Sequence, residues 1–158
     1  MAKILTLVIV HDNEKILLGM KKRGFGSGRW NGFGGKVEPG ETLEQAAHRE
    51  LEEEAGVRAI YLKNRGQLLF TFADGNVDME VNIFSTDSIE GNPMETEEML
   101  PQWFSHAEIP YPDMWADDQY WLPLLLEGKN ITGKVDFENA RDQVIINNTI
   151  QEYVSEAY

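Results

Sequence analysis

One segment of the sequence, from Thr42 to Gly56, constrains the fold of this chain more than any other. Residues that favour helices run from Leu43 to Ala55, and Thr42 with Gln45 three positions later forms a capping-box pattern. Gly56 follows at the position where a glycine in the left-handed conformation commonly ends a helix. The sequence therefore predicts a helix over 43–55 with both of its ends marked.

One face of this predicted helix carries three carboxylates. At about 100° per residue, Glu53 and Glu54 lie about 60° and 40° to the two sides of Glu50. Like charges at these spacings repel each other, and no lysine stands where it would offset them. Ala46 and Ala47, one turn earlier on the same face, are expected to leave the approach open. A hard divalent cation such as Mg²⁺ or Mn²⁺ would explain this face, and a solvated acidic surface without metal is the alternative.

The charge balance argues against several classes of partner. The 158 residues contain 14 lysines and arginines against 27 acids, and the resulting net charge of −13 repels the phosphate backbone of long nucleic acids. No cysteine is present, so disulfides and cysteine zinc sites are excluded. No apolar run reaches the roughly 20 residues that span a bilayer, and no signal-peptide pattern follows Met1. We expect a monomer in the cytoplasm (or in mitochondria or the nucleus if the source is eukaryotic), with a small molecule rather than a membrane or nucleic acid as its partner.

Hydrophobic patterning predicts a single domain over 1–158. A second helix is expected from Asp117 or Asp118 toward Glu127, with Pro123 weakening or bending its first turns. Strands interspersed with two helices imply an α/β (α+β) fold in which helices cover a mixed β-sheet. The predicted strands, where β-branched and aromatic residues cluster, are 4–10, 15–20, 66–72, 79–87, 102–104, 134–137 and 144–154.

The helix and the loop before it resemble the signature of a known family. The run Gly35-x5-Glu41-x7-Arg49-Glu50-Leu51-x-Glu53-Glu54-x-Gly56-Val57 matches the Nudix box at every specified position, over residues 35–57. Nudix hydrolases cleave nucleoside diphosphates linked to another group. The resemblance implies a mixed β-sheet between α-helices, with the box forming a loop, a helix and a loop.

The resemblance also implies a metal centre and a catalytic group. The cofactor would be Mg²⁺, with Mn²⁺ as the alternative. Arg49 would hold the carboxylates in place, Glu41 would orient the loop and the helix, and Glu54 is the first choice for the base. The other candidates for the base are Glu50, Glu53 and Glu98. The implied metal ligands are the Gly34 carbonyl and the side chains of Glu50, Glu53, Glu54 and Glu98.

Segments 17–26, 28–36, 84–89 and 113–121, which lie before, at the start of and after the box, resemble those animal Nudix hydrolases that act on oxidised purine nucleoside triphosphates. The resemblance implies hydrolysis of 8-oxo-dGTP and 2-oxo-dATP to monophosphate and pyrophosphate, which keeps damaged nucleotides out of DNA. Ala116 stands where those relatives have proline, between Trp115 and Asp117. This change is expected to loosen the loop that recognises the base. The alternatives are a Nudix hydrolase of another nucleotide (an unmodified dNTP, a methylated purine triphosphate, a dinucleoside polyphosphate or a capped RNA) and a non-catalytic nucleotide-binding regulator.

Candidate substrate-binding residues come from the same resemblance and from side-chain chemistry. Aromatic rings can stack on a flat purine, although they pack in protein cores more often, and Trp30 and Trp103 are expected in the core. Asn31 can donate and accept at a base edge, or simply form a turn with Gly32. The adjacent acids Asp117 and Asp118 either cap a helix or include a carboxyl held neutral in an aromatic pocket, where it can donate a hydrogen bond. The candidate residues are Thr6, Lys21, Phe25, Asn31, Phe33, Gly34, Gly35, Lys36, Phe70, Met79, Trp115, Asp117, Asp118 and Trp121.

Overall fold

Eleven strands and two α-helices account for most of residues 2–141 and 143–154, which the computed structural model describes. The helices are α1 (Leu43–Ala55) and α2 (Asp118–Leu126), and two short 3-10 turns, His106–Glu108 and Tyr111–Asp113, precede α2. The strands are β1 (Lys3–His11), β2 (Lys15–Lys21), β3 (Trp30–Asn31), β4 (Arg58–Ala59), β5 (Lys63–Phe72), β6 (Met79–Thr86), β7 (Ile89–Glu90), β8 (Met99–Ser105), β9 (Asn130–Phe137), β10 (Ile145–Asn148) and β11 (Gln151–Tyr153). The predicted domain also covers Met1, Asp142 and 155–158, which lie outside the described residues, so its extent over 1–158 stays a prediction.

A nine-stranded mixed sheet forms the centre of the fold. Its strand order is β10-β9-β5-β6-β1-β2-β3, with β11 also on β9 and β8 also on β2. The pairs β1–β6 and β5–β9 are parallel, whereas the others in this sheet are antiparallel. Strands β4 and β7 form a separate two-stranded sheet. The mixed sheet expected from the sequence is confirmed.

The two helices cover opposite faces of the sheet. Successive side chains of a strand point to opposite faces, and β1 shows this directly. Val8 and Val10 pack in one core with Leu51 of α1, while Ile9 packs in the other with Trp121 of α2. Neither helix in the described part of the chain is long and apolar enough to cross a membrane.

Helix α1 begins and ends where the sequence predicts. Thr42 Oγ1 accepts a hydrogen bond from the Gln45 N–H at 3.1 Å, and the Gln45 side chain accepts one from the Thr42 N–H at 2.9 Å. Gly56 has φ 71°, and its N–H donates to the Glu52 carbonyl. The reciprocal cap fixes the first turn and therefore the angular position of every carboxylate that follows.

The predicted strand 144–154 is two short strands. Both pair with β9, and after a register shift between Ile145 and Asn147 they share one register, with Asn148 opposite Val135 and Gln151 opposite Thr132. The interruption between them faces Gly133, whose φ is 155° and whose absent Cβ would lie 2.7 Å from the Ile150 Cα. The close approach of the two backbones distorts the pairing there. The short strands β3, β4 and β7 were not predicted, because two-residue strands leave no periodicity to detect.

Two other expectations are wrong. Ala46 and Ala47 are fully buried beneath α1, so they do not keep an approach to the helix open. Trp103 is 38% exposed on β8, where the Lys15 ammonium lies 4.4 Å from its ring centroid, and it is not a core residue. In both cases the helical or aromatic character of the sequence does not specify which side of the element meets the sheet. Trp30, in contrast, packs against the main core as expected.

Candidate active site

The glycine-rich loop before α1 runs against the backbone of β1. The Thr6 N–H donates to the Gly35 carbonyl at 2.9 Å, and the Val8 N–H donates to the Phe33 carbonyl. A Cβ at Gly34 would lie 1.8 Å from the Thr6 carbonyl oxygen, and a Cβ at Gly35 would lie 2.8 Å from the Glu50 carboxylate. Only glycine permits both approaches, so the loop brings its backbone up to the carboxylates of α1.

Glu54 is the buried carboxylate of the acidic face. It is 3% exposed, and its Oε1 accepts a hydrogen bond from the Gly34 N–H at 2.9 Å. The pKa of Glu54 is raised to about 8, mainly by burial and also by the charges of Glu50 and Glu98, against the opposing effects of the Gly34 N–H and Lys21. The result is a carboxylate that binds protons more readily than a glutamate in water does.

Arg49 holds the other carboxylates of the loop and helix. Its guanidinium bonds both oxygens of Glu41, at 2.7 and 2.9 Å, and this pairing lowers the pKa of Glu41 to about 2. The same group donates to Glu50 at 2.8 Å, to Glu53 at 3.3 Å and to the Lys36 carbonyl at 3.1 Å. Five acceptors around one guanidinium tie the loop to the helix, as a planar fork of donors allows.

The chemistry of these groups fits a hard divalent cation. The acidic side chains and the Gly34 carbonyl offer oxygen atoms, which Mg²⁺ and Mn²⁺ prefer. Burial raises the pKa of Glu50, and the charges of Glu53 and Glu98 raise it too, an accumulation of negative charge that a cation would relieve. As the described residues stand, no three acidic or histidine side chains converge closely enough to hold an ion. Glu50 bonds Arg49 and Glu54 bonds Gly34, each through Oε1, so a cation would be met by the second oxygen of each carboxylate.

A cleft of about 150 Å³ extends from Glu54 across the sheet toward the start of α2. Its lining consists mostly of apolar side chains, many of them from β1, β5 and β6, with a few polar and charged groups among them. Predicted residues that line it are Thr6, Lys21, Phe25, Asn31, Gly34, Gly35, Glu54, Phe70, Met79, Trp115, Asp117, Asp118 and Trp121. Most of the candidate substrate-binding residues therefore line one cavity.

Aromatic rings form one wall of the cleft. Trp115 stacks on Phe70 with ring centroids 6.0 Å apart and an interplanar angle of 19°. The ring centroid of Phe25 lies 5.4 Å from that of Trp115. Phe137, beneath them, meets Trp115 edge to face at 5.9 Å. Phe25 is 52% exposed, whereas Phe70 is buried. This arrangement presents flat apolar surface to a planar ligand.

The paired acids that line the cleft at the start of α2 are almost fully buried. Asp117 occupies the position before α2 but its side chain caps nothing; its Oδ2 accepts a hydrogen bond from the Trp121 indole N–H at 2.7 Å. Burial raises the pKa of Asp118 well above its ordinary value, and the neighbouring Asp117 charge raises it further. Burial also raises the pKa of Asp117. The pair therefore favours one shared proton, with Asp118 neutral and able to donate.

Some predicted residues lie outside the cleft. Phe33 is fully buried in the core beneath α1, so its side chain does not face the cavity. Lys36 pairs with β1 through its backbone, opposite Leu5. Arg49, Glu50 and Glu53 lie on α1 beside the cleft, and Glu98 lies in an exposed loop that Thr96 ties to the Glu54 carbonyl.

Sequence reasoning missed several cleft residues. Met99 and Met114 line the cavity but carry no motif of their own. Leu5, Leu7 and Ile9 alternate along β1, a period of two that predicts a shared face without saying that the face meets a cavity. Trp30 also forms a parallel β-bridge with Met114, a contact between distant parts of the chain that the sequence does not indicate.

Comparison with known proteins agrees with this fold. Residues 2–125 match the NUDIX domain model. The chain is 51% identical over 138 residues to an oxidized purine nucleoside triphosphate hydrolase of Mus musculus, covering 87% of this chain and 88% of that protein. It is 49% identical over 151 residues to the protein of the same name from Danio rerio, covering 96% of each.

A solved structure of a MutT protein from Bacillus halodurans superposes with a TM-score of 0.82 over 94% of this chain and 97% of that one. At 24% sequence identity, that likeness shows the fold alone. The family match and the two animal relatives carry the assignment. The chain belongs to the NUDIX domain family.

Proposed function

We propose that this protein hydrolyses oxidised purine nucleoside triphosphates, such as 8-oxo-dGTP and 2-oxo-dATP, to the monophosphate and pyrophosphate. One observation carries the proposal: a single cleft is lined by an aromatic wall, a buried acid pair and the buried Glu54. The names of the two animal relatives support the substrate class.

Nudix hydrolases generally use divalent metal cations, and we propose Mg²⁺ for this chain. The groups that would hold it are the Gly34 carbonyl, Glu50, Glu53, Glu54 and Glu98. When bound, the cation supplies charge neutralisation for the phosphates and lowers the pKa of water. Arg49 keeps Glu50 and Glu53 beside the loop, through bonds of 2.8 and 3.3 Å.

Glu54 is the proposed base. A carboxylate that burial has made more basic is suited to accept a proton from the water that attacks phosphorus. The Gly34 N–H orients it from 2.9 Å, so its second oxygen is available for that proton. The attack breaks a P–O bond of the triphosphate, and pyrophosphate leaves.

The acid pair provides base selection. A neutral Asp118 donates a hydrogen bond and an ionised Asp117 accepts one, so the pair offers both functions within one buried site. Oxidation of a purine changes the donor and acceptor pattern of its edge. Stacking against Trp115 adds roughly 1–3 kcal/mol for any base and does not discriminate.

Pyrophosphate release with 8-oxo-dGTP, 2-oxo-dATP, dGTP, dATP and a methylated purine triphosphate, each with Mg²⁺ or with chelator, tests the proposal. We expect kcat/KM at least tenfold higher for the oxidised purines, and release only with the cation. Equal rates for ordinary and oxidised purines would contradict the substrate assignment. No release from any triphosphate would instead favour a nucleotide-binding regulator and overturn the enzymatic proposal.

A further inference from the structure

We propose that Gln143 is a positioning residue for base recognition, because its buried side chain holds the segment that carries Trp115 and Asp117. The inference rests on the proposed function and names a residue that sets its selectivity. Gln143 lies beyond the second helix. The family match covers residues 2–125 and therefore does not include it.

A single hydrogen bond connects Gln143 to the base site. The Ala116 N–H donates to Gln143 Oε1 at 3.1 Å, across a separation of 27 residues. Gln143 is only 4% exposed, so water does not readily replace it as the acceptor. The Ala116 N–H is partly buried, and a desolvated N–H that loses its partner carries a larger penalty than one on the surface.

The backbone of Gln143 supports the same conclusion. Its φ is 54°, the only positive φ among non-glycine residues in the described part of the chain. A side chain with a Cβ disfavours this left-handed conformation, which persists only where the surroundings impose it. Gln143 directly precedes Val144, whose carbonyl accepts the Glu138 N–H at 2.8 Å between β9 and β10, so the strained residue lies in a closed turn whose buried carboxamide reaches Ala116.

Ala116 is the residue through which both recognition elements are held. On one side, Trp115 forms the aromatic wall with Phe70; on the other, Asp117 accepts the Trp121 N–H at 2.7 Å. Among the described residues, the Ala116 carbonyl accepts from the exposed Gln119 side chain at 3.1 Å. Movement at Ala116 would displace the stacking ring and the acid pair together. Alignment of the acid pair matters more for an altered purine edge than for stacking, so selectivity should suffer more than turnover.

The test replaces Gln143 with Met, which has a similar length and no carboxamide. For Gln143→Met we expect KM for 8-oxo-dGTP to rise about three- to tenfold, with kcat within about twofold and preference over dGTP reduced. Amide hydrogen exchange at Ala116, followed by NMR, should accelerate by a similar factor. Gln119→Met is the matched control, since it removes an exposed glutamine bond to the same residue, and we expect its KM to stay within about twofold of wild type.

A double variant distinguishes positioning of the Ala116 segment from general destabilisation of the protein. Ala116→Pro removes the N–H and restricts the backbone at that position, so adding Gln143→Met there should change KM no further. A further KM increase in that background would overturn the proposal, as would unchanged Ala116 exchange in Gln143→Met. If Gln143→Met does not fold, Gln143→Asn serves instead: asparagine tolerates left-handed φ but is one methylene too short, and the same changes are expected. If wild type hydrolyses no oxidised purine triphosphate, the proposed function fails, while Ala116 exchange still decides whether Gln143 holds the segment.

Discussion

At the scale of single residues, Glu54 differs from its neighbours on α1 in burial rather than in chemistry. Glu53 has the same side chain but is exposed. Glu52 points away from the cleft, and its Oε2 accepts a hydrogen bond from Arg58 Nε at 2.5 Å. Only Glu54 combines burial, a backbone donor at Gly34 and a raised pKa. The catalytic proposal follows from that combination.

We expect Glu54→Gln to lower kcat by at least about 100-fold, because the amide keeps the size of the side chain and its bond from Gly34 but cannot accept a proton. Nucleotide binding, measured by calorimetry, should remain detectable. Glu52→Gln is the control, on the opposite side of the same helix turn, and should leave kcat near wild type. Activity of Glu54→Gln near that of wild type would show that another group is the base.

The second residue-scale feature is the proton on Asp118. A carboxyl whose pKa is raised in the folded state binds its proton more tightly there than in the unfolded chain. Its contribution to stability is therefore present at low pH and is lost as pH rises from its unfolded pKa toward its folded pKa. The raised pKa of Asp118 thus makes the protein less stable as the solution approaches neutrality.

Asp118→Asn should remove this loss, since the amide stays neutral and can still donate to Asp117. The Tm of the variant minus that of wild type should increase between about pH 4 and about pH 8. Asp113→Asn, which changes an exposed carboxylate five residues earlier, should give a nearly constant difference. A Tm difference for Asp118→Asn that is flat across this range would show that Asp118 is ionised in the folded protein. Calorimetric scans in a series of buffers make the measurement.

At the scale of secondary-structure elements, Arg65 of β5 joins β6, α2 and β9. Its guanidinium donates to Ser85 Oγ at 3.0 Å, to Asn130 Oδ1 at 3.1 Å, and to the Leu125 and Lys129 carbonyls at 2.9 and 2.7 Å. The residue is 4% exposed, and burial lowers its pKa. By bonding carbonyls at the end of α2, it fixes the helix whose start carries the acid pair.

Arg65→Met should lower the free energy of unfolding by about 2–4 kcal/mol, because several buried acceptors lose their donor at once. Arg65→Lys should recover little of this loss, since one ammonium does not span the positions of a guanidinium fork. Arg58→Met, which removes an exposed arginine paired with Glu52, should have a much smaller effect. Urea denaturation followed by circular dichroism gives all three values. Equal stability of Arg65→Met and wild type would contradict the structural role.

At the scale of the whole molecule, the net charge of −13 affects the binding of small nucleotides and of long nucleic acids differently. A triphosphate binds in a local site, where single positive groups such as Lys21, which lines the cleft with Glu54, can contact it. A nucleic-acid backbone spans a large area and meets the average field of the surface, which is repulsive.

We therefore expect no saturable binding of duplex DNA or of single-stranded RNA, even at low salt, where electrostatic attraction is strongest. Fluorescence anisotropy with labelled oligonucleotides measures this, and a basic DNA-binding protein under the same conditions provides the positive control. Binding with a Kd below about 1 μM would contradict the expectation and would reopen capped RNA as a substrate class.

Local signals made the helix and its chemistry predictable. The capping box at Thr42 and the stop at Gly56 act within a few residues, and helical geometry alone places Glu50, Glu53 and Glu54 on one side. The mixed sheet also followed from the succession of strand and helix patterns. The interruption opposite Gly133 did not, because it depends on a neighbouring strand from elsewhere in the chain.

The sequence by itself therefore determined the extent of α1, the spacing of its acids and the family to which the chain belongs. Only the tertiary structure decided that Glu54 is buried while Glu53 is exposed, that Asp117 bonds Trp121 rather than capping α2, and that Gln143 holds Ala116. The physical reason is the range of the interactions. Helix signals operate between residues three or four apart, whereas burial and the proton affinities that depend on it arise from contacts between distant parts of the chain.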